Sequence, residues 1–273
     1  MTSNSLTEII IMAIFQGIAE FLPISSSGHL AVLAKLTGST PEGAMNTSIA
    51  LHAGTLLSIV IFYFRSLLEL LNRNGIRIVA LIVVGSIPAG VIGITVKMLE
   101  LDDLLALQML IIGPGFLITA ALLRYGLKEA VDNGTKLEAM TFKQSLIIGV
   151  AQAVAICPGI SRSGSTIATA LRLGINKADC AKFSFYLAIP AIGGATLLQI
   201  ISALKKTKMD KSAMFDPALL VGFLISAVVG LFALKLLITM LKRGKLEYFS
   251  RYLLVIGIAV VSWGLIDLFL KWR

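Results

Sequence analysis

Gln16 and Glu20 stand four residues apart in an apolar run that ends at Pro23, and Ser25, Ser26, Ser27, Gly28 and His29 follow at once. A second interruption, Cys157-Pro158-Gly159-Ile160, leads into Ser161, Arg162, Ser163, Gly164, Ser165 and Thr166. A spacing of four puts Gln16 and Glu20 on one helix face, where a carboxylate and an amide oxygen could hold a divalent cation; a salt bridge from Glu20 to Arg162 is the plainer role. His29 lies close enough to the serines to exchange a proton with a hydroxyl or a leaving oxygen, or simply to cap a helix. Arg162 carries a permanent fork of donors suited to phosphate oxygens. A helix that starts at a Ser/Gly loop has unpaired N–H groups and a partial positive charge, which together attract an anion. Capping by hydroxyls accounts for the serines alone, but three ionisable residues beside breaks in apolar segments point to a phosphate-handling site.

The elements that must position these residues are membrane helices. Of 273 residues, 57% are hydrophobic and only 14% charged, too few charges for an ordinary soluble domain. The mean hydropathy is +0.91, and apolar stretches long enough to cross a bilayer recur along the whole chain. Residues 45–71, 76–97, 104–124, 179–203, 217–241 and 249–270 each read as a spanning helix, six in all. Residues 6–37 and 142–173 hold shorter apolar pieces around a polar break and read as re-entrant hairpins of two half-helices, which are tolerated at membrane depth only where they are buried or line a cavity. The first run contains Gln16 and Glu20 and has no basic residue ahead of it, so no cleavable signal is expected. His52, with no acidic neighbour within a turn, reads as a packing or cavity-lining residue, and Cys157 and Cys180 as packing residues.

The two breaks repeat one another. Gln16 aligns with Gln152 and Ile24-Ser-Ser-Ser-Gly28 with Ile160-Ser-Arg-Ser-Gly164 at a single offset of 136 residues. Each half, about 1–130 and 131–273, then holds one hairpin and three spans, and an odd number of spans reverses the second copy. The expected fold is therefore an all-α integral membrane bundle, one polytopic domain built as an inverted repeat, with both polar loops near the midplane. The net charge of +9 does not imply nucleic acid, because Lys and Arg cluster in short connectors. Connectors near 65–77, 124–143, 172–182 and 242–251 collect 14 of them, which favours these on the inside, the N-terminus outside and anionic lipid head groups as the counter-charge.

The pattern Gln16-x3-Glu20-Phe-Leu-Pro-Ile-Ser-Ser26-Ser-Gly-His29, together with Pro-Gly-Ile-Ser161-Arg162-Ser-Gly-Ser165-Thr166, resembles the undecaprenyl-diphosphate phosphatase family, the bacitracin-resistance proteins, over nearly the whole chain. The resemblance implies removal of the terminal phosphate from a C55 polyprenyl diphosphate in the bacterial plasma membrane, regenerating the lipid carrier of cell-wall synthesis. It implies Ser26 and His29 as a catalytic pair, Arg162 as the phosphate-binding arginine, and loop donors from Ser25, Ser27, Gly28, Ser161, Ser163, Gly164 and Thr166. It also implies dependence on Mg2+ or Ca2+ at Glu20 and Gln16, although Gln16 occupies a place where the family has Glu or Gln, so Glu20 is the only carboxylate of that motif. Attack by Ser26, by His29 or by water at the cation all fit these residues. A transporter or flippase of polyprenyl phosphate would use the same midplane pocket, and only the histidine beside a serine speaks for an enzyme. A homodimer is compatible with such a bundle.

Overall fold

A computed structural model describes residues 5–37, 41–99, 109–128, 133–205 and 216–271. All its regular elements there are helical: α1 (Leu6–Ala19), α2 (Ser26–Thr37), α3 (Pro41–Phe62), α4 (Phe64–Glu69), α5 (Ile76–Met98), α6 (Met109–Lys128), α7 (Phe142–Val154), α8 (Arg162–Arg172), α9 (Lys177–Lys205), α10 (Pro217–Lys242) and α11 (Glu247–Lys271). Five of these, α5, α6, α9, α10 and α11, are long and apolar enough to cross a membrane. The bundle is greasy outside as well as in its core, and its interior also encloses a set of polar side chains. Phe232, Val255 and Leu220 are exposed, whereas Gln16, Glu20, Ser161 and Thr166 are buried. That distribution suits a lipid surround, where an apolar exterior costs nothing and polar groups must find partners inside.

The expected span over 45–71 is two helices. Tyr63 leaves the helical region at φ −101° and ψ 16°, and α4 restarts at Phe64. Continuous apolar sequence through this turn conceals the break, since hydropathy does not record one residue's dihedral angles. The connector with Glu100, Asp102 and Asp103 lies outside the described residues.

The 136-residue offset extends to the helix starts. Ser5 caps α1 in a reciprocal capping box with Glu8, and Thr141 caps α7 in the same way with Gln144. Each pair of partners differs by 136 in number, and each box satisfies two of the donors left open at a helix start.

Packing positions the two breaks. Alongside α1, Ile9 meets Gly222 of α10 and Gly17 meets Val229, so α1 follows α10 from its start and stops about halfway along it. Alongside α7, Ser145 Oγ donates to the Leu81 carbonyl of α5 at 2.6 Å and Gly149 lies against Gly85, so α7 follows α5 from its start. α8 continues beside α6, where Thr119 meets the Ser161 loop and Gly126 meets Ala168. At one end of the bundle, Arg77 donates to the carbonyls of Glu138 (3.0 Å) and Met140 (2.7 Å), and Asp179 accepts from the Leu137 amide at 3.0 Å. Three connectors rich in Lys and Arg are thereby tied to one end.

Candidate active site

α1 stops at Ala19 because the chain turns through Glu20–Ile24, where Pro23 has no N–H to continue the ladder. Ser25 then takes φ +68°, a left-handed conformation rare outside glycine, which reverses the backbone and starts α2 at Ser26. In the second break Gly159, at φ +90°, supplies the corresponding bend, and α8 starts at Arg162. The serines behave alike in both. Ser25 Oγ accepts from the Gly28 amide (3.4 Å) and lies 3.5 Å from Ser27 Oγ. Ser161 Oγ accepts from the Gly164 amide (3.1 Å) and lies 3.2 Å from Ser163 Oγ. Capping is therefore what Ser25 and Ser161 do, and it leaves Ser26 and Arg162, the first residue of each helix, facing the site.

Glu20 joins the two breaks. Arg162 Nη2 donates to Glu20 Oε1 at 2.7 Å across 142 residues of chain, and Ser163 Oγ donates to the Leu22 carbonyl at 3.3 Å. The second oxygen, Oε2, accepts from Gln16 Nε2 and from Ser26 Oγ, both at 2.9 Å. Side-chain exposures of 7% for Glu20 and 16% for Arg162 make this a sheltered pair, whose charges are attenuated far less by solvent than a surface pair's. Gly28 packs against Gly159 and the Phe116 ring, where a side chain at position 28 has no room. Thr166 Oγ1 bonds back to the Arg162 carbonyl at 2.8 Å and pairs with Ser184 Oγ at 2.6 Å, so it braces α8.

His29 and Ser26 make no hydrogen bond to each other among the described residues. His29 Nδ1 lies 2.9 Å from the Ser25 carbonyl, which can only accept, so this nitrogen carries the hydrogen. In the neutral ring Nε2 then accepts from the Tyr252 hydroxyl at 2.8 Å, with the two rings stacked at 8°, and the Phe116 ring lies 4.6 Å from the imidazole between centroids. Sequence reasoning missed Tyr252, because nothing in Glu247–Lys271 distinguishes a tyrosine aimed inward from an interfacial one. It read His52 as a packing or cavity-lining residue and did not place it beside Glu20. His52 Nε2 lies 3.9 Å from Glu20 Oε2, and the ring is fixed by Nδ1 donating to the Ser48 carbonyl at 2.8 Å. The Ser48/His52 spacing on α3 held that signal, but the approach of α3 to Glu20 was not in it.

The cation test turns on Gln16. Its Oε1 is fully buried and has no hydrogen-bond partner, an arrangement costly enough to need an explanation. The amide now turns Nε2 to Glu20; turned over, its oxygen and the carboxylate would fit an oxygen-seeking divalent ion. Among the described residues no cluster of three or more His, Cys, Asp or Glu forms a complete cage. The donor set therefore suits an ion that takes its remaining ligands from water and phosphate, as Mg2+ commonly does.

A multi-pass helical membrane protein with a partly buried Arg–Glu–Ser site at the junction of two helix breaks is the class these features define. The chain matches the model of the bacitracin resistance protein BacA family over residues 9–259, and it belongs to that family. It is 38% identical to the undecaprenyl-diphosphatase of Methanosphaera stadtmanae, over 92% of this chain and 95% of that protein. The undecaprenyl-diphosphatases of Bacteroides fragilis and Korarchaeum cryptofilum are 38% and 36% identical, covering 93% and 94% of this chain and 96% and 98% of theirs.

Proposed function

We propose that this protein is an undecaprenyl-diphosphatase, hydrolysing the lipid diphosphate to the monophosphate and inorganic phosphate in the bacterial cell membrane. The observation that carries the reading is the Arg162–Glu20 pair at 2.7 Å with Ser26 on the same carboxylate, which unites both polar loops in one anion-ready, proton-accepting centre. The family relatives are named for this reaction. The lipid tail leaves the site between helices into the bilayer, which accounts for a phosphatase built among membrane spans.

In this reading Ser26 Oγ attacks the terminal phosphorus while its proton passes to Glu20 Oε2, its hydrogen-bond acceptor at 2.9 Å. The phosphorus–oxygen bond to the bridging oxygen breaks, and the lipid monophosphate leaves with the electron pair. Arg162 keeps free N–H groups for the transferred phosphoryl, joined by donors of the Ser25–Gly28 and Ser161–Gly164 loops. Water then attacks the phosphoserine, losing a proton to His29 Nε2 once the Tyr252 hydroxyl yields it. Ser26 recovers its proton from Glu20. Glu20 and Gln16 would hold a divalent cation, which would supply charge neutralisation for the diphosphate.

The architecture that serves this chemistry is six spans and two re-entrant hairpins in an inverted repeat, with α3 as the sixth span. α1 ends partway along α10 and α7 accompanies α5, and the two halves exchange these partners in the manner of a two-fold relation. Purified protein with undecaprenyl diphosphate and Mg2+ should release one phosphate per lipid, and EDTA should stop it. A carrier of polyprenyl phosphate would bind the lipid and release none; release unaffected by chelation would remove the cation from the reaction.

A further inference from the structure

We propose that His52 supplies a nitrogen ligand to the divalent cation at Glu20, an inference that rests on the cation-dependent reading above. Neither break contains His52, which comes from the middle of α3. Its Nδ1 is committed to the Ser48 carbonyl at 2.8 Å, with Ser48 Oγ also at 3.2 Å. A ring nitrogen anchored to a backbone carbonyl, with the other nitrogen turned toward a carboxylate, is the usual support of a ligating histidine. With Nδ1 protonated, the neutral ring turns a lone pair toward Glu20 Oε2 at 3.9 Å. That gap is too long for a hydrogen bond, and two electron-rich atoms facing each other gain from a cation between them.

The same point gathers the other donors. Glu20 Oε2 already holds the Gln16 amide and the Ser26 hydroxyl at 2.9 Å each, while Arg162 occupies Oε1 and leaves this edge to the ion. Turning the Gln16 amide over would bring its unpartnered, buried Oε1 to Oε2. That orientation is repulsive beside a bare carboxylate and favourable beside a cation. One carboxylate, one amide oxygen, one hydroxyl and one imidazole make a mixed set, and imidazole shifts preference from Ca2+ toward later ions such as Mn2+.

The test uses Mn2+ as the probe, with the purified full-length protein and methylenediphosphonate as a stable diphosphate. Electron spin echo spectra of the wild type should show nitrogen modulation from a bound imidazole, and His52→Gln should abolish it while still binding Mn2+. Wild-type affinity for Mn2+ over Ca2+ should be at least about tenfold, and the variant should lose most of that preference. Bound Mn2+ without nitrogen modulation in the wild type would overturn the inference alone, leaving His52 as a neighbour of Glu20 that holds no ion. No bound Mn2+ at all would overturn both the ligand and the cation reading. The wild-type spectrum decides the matter even if the variant fails to fold.

Discussion

Glu20 accepts hydrogen bonds from Gln16, Ser26 and Arg162, so each substitution at this hub has its own signature. In the proposed reaction Ser26→Ala removes the attacking oxygen, and phosphate release should fall to background. Rapid quenching of the wild type followed by intact-mass measurement should reveal a phosphoryl adduct on Ser26; an active alanine variant would hand the attack to water or to His29. Tyr252→Phe removes the hydroxyl donated to His29 Nε2 at 2.8 Å while keeping the stacked ring. Loss of one such bond corresponds to about 1 kcal/mol, so kcat should change about fivefold in steady-state assays, with KM nearly constant. The Glu20, Ser26 and Arg162 association was legible in the sequence because two matching loops at one offset had to meet. The partners of His29 and His52 were not, because they depend on how α11 and α3 approach the loops, and neither helix carries a motif that records it.

At the scale of elements, the breaks work only if the second loop can press against α6. A side-chain carbon at Gly115 would lie 2.6 Å from the Pro158 carbonyl oxygen and 2.8 Å from the Gly159 Cα, both backbone atoms that cannot rotate away. Gly115→Ala should therefore cost about 1–3 kcal/mol, read as a lower thermal midpoint in detergent, and should reduce activity without touching a reacting group. Helix starts and both polar breaks could be read from Pro, Ser and Gly placement, because capping chemistry is local. The expected run over 45–71 fared differently: its turn at Tyr63 sits within unbroken apolar sequence, where neither propensity nor periodicity changes. Contacts between distant elements were not legible either: the Asp267 carboxylate of α11 accepts from Lys35 Nζ of α2 at 2.7 Å.

For the whole molecule, six spans with two re-entrant hairpins make an arithmetic prediction about sidedness. On the proposed topology Arg73 and Lys245 would lie in connectors on one membrane face, and Met98 at the end of α5 on the other. In a background carrying Cys157→Ala and Cys180→Ala, Arg73→Cys and Lys245→Cys should react with an impermeant maleimide from the same side, and Met98→Cys from the opposite one. Labelling of Arg73→Cys and Lys245→Cys from different sides would break the proposed topology. Composition made the membrane class legible, whereas the expected span over 45–71 is not among the five helices that, among the described residues, are long and apolar enough to cross a membrane. The central claim is that both halves complete one site for a lipid diphosphate, and it is tested most directly by phosphate release from undecaprenyl diphosphate by the wild type and Arg162→Ala. The account predicts a loss of at least about a hundredfold to a thousandfold in kcat, because Arg162 is the second half's charged contribution to the phosphoryl group. Release by Arg162→Ala at the wild-type rate would contradict it.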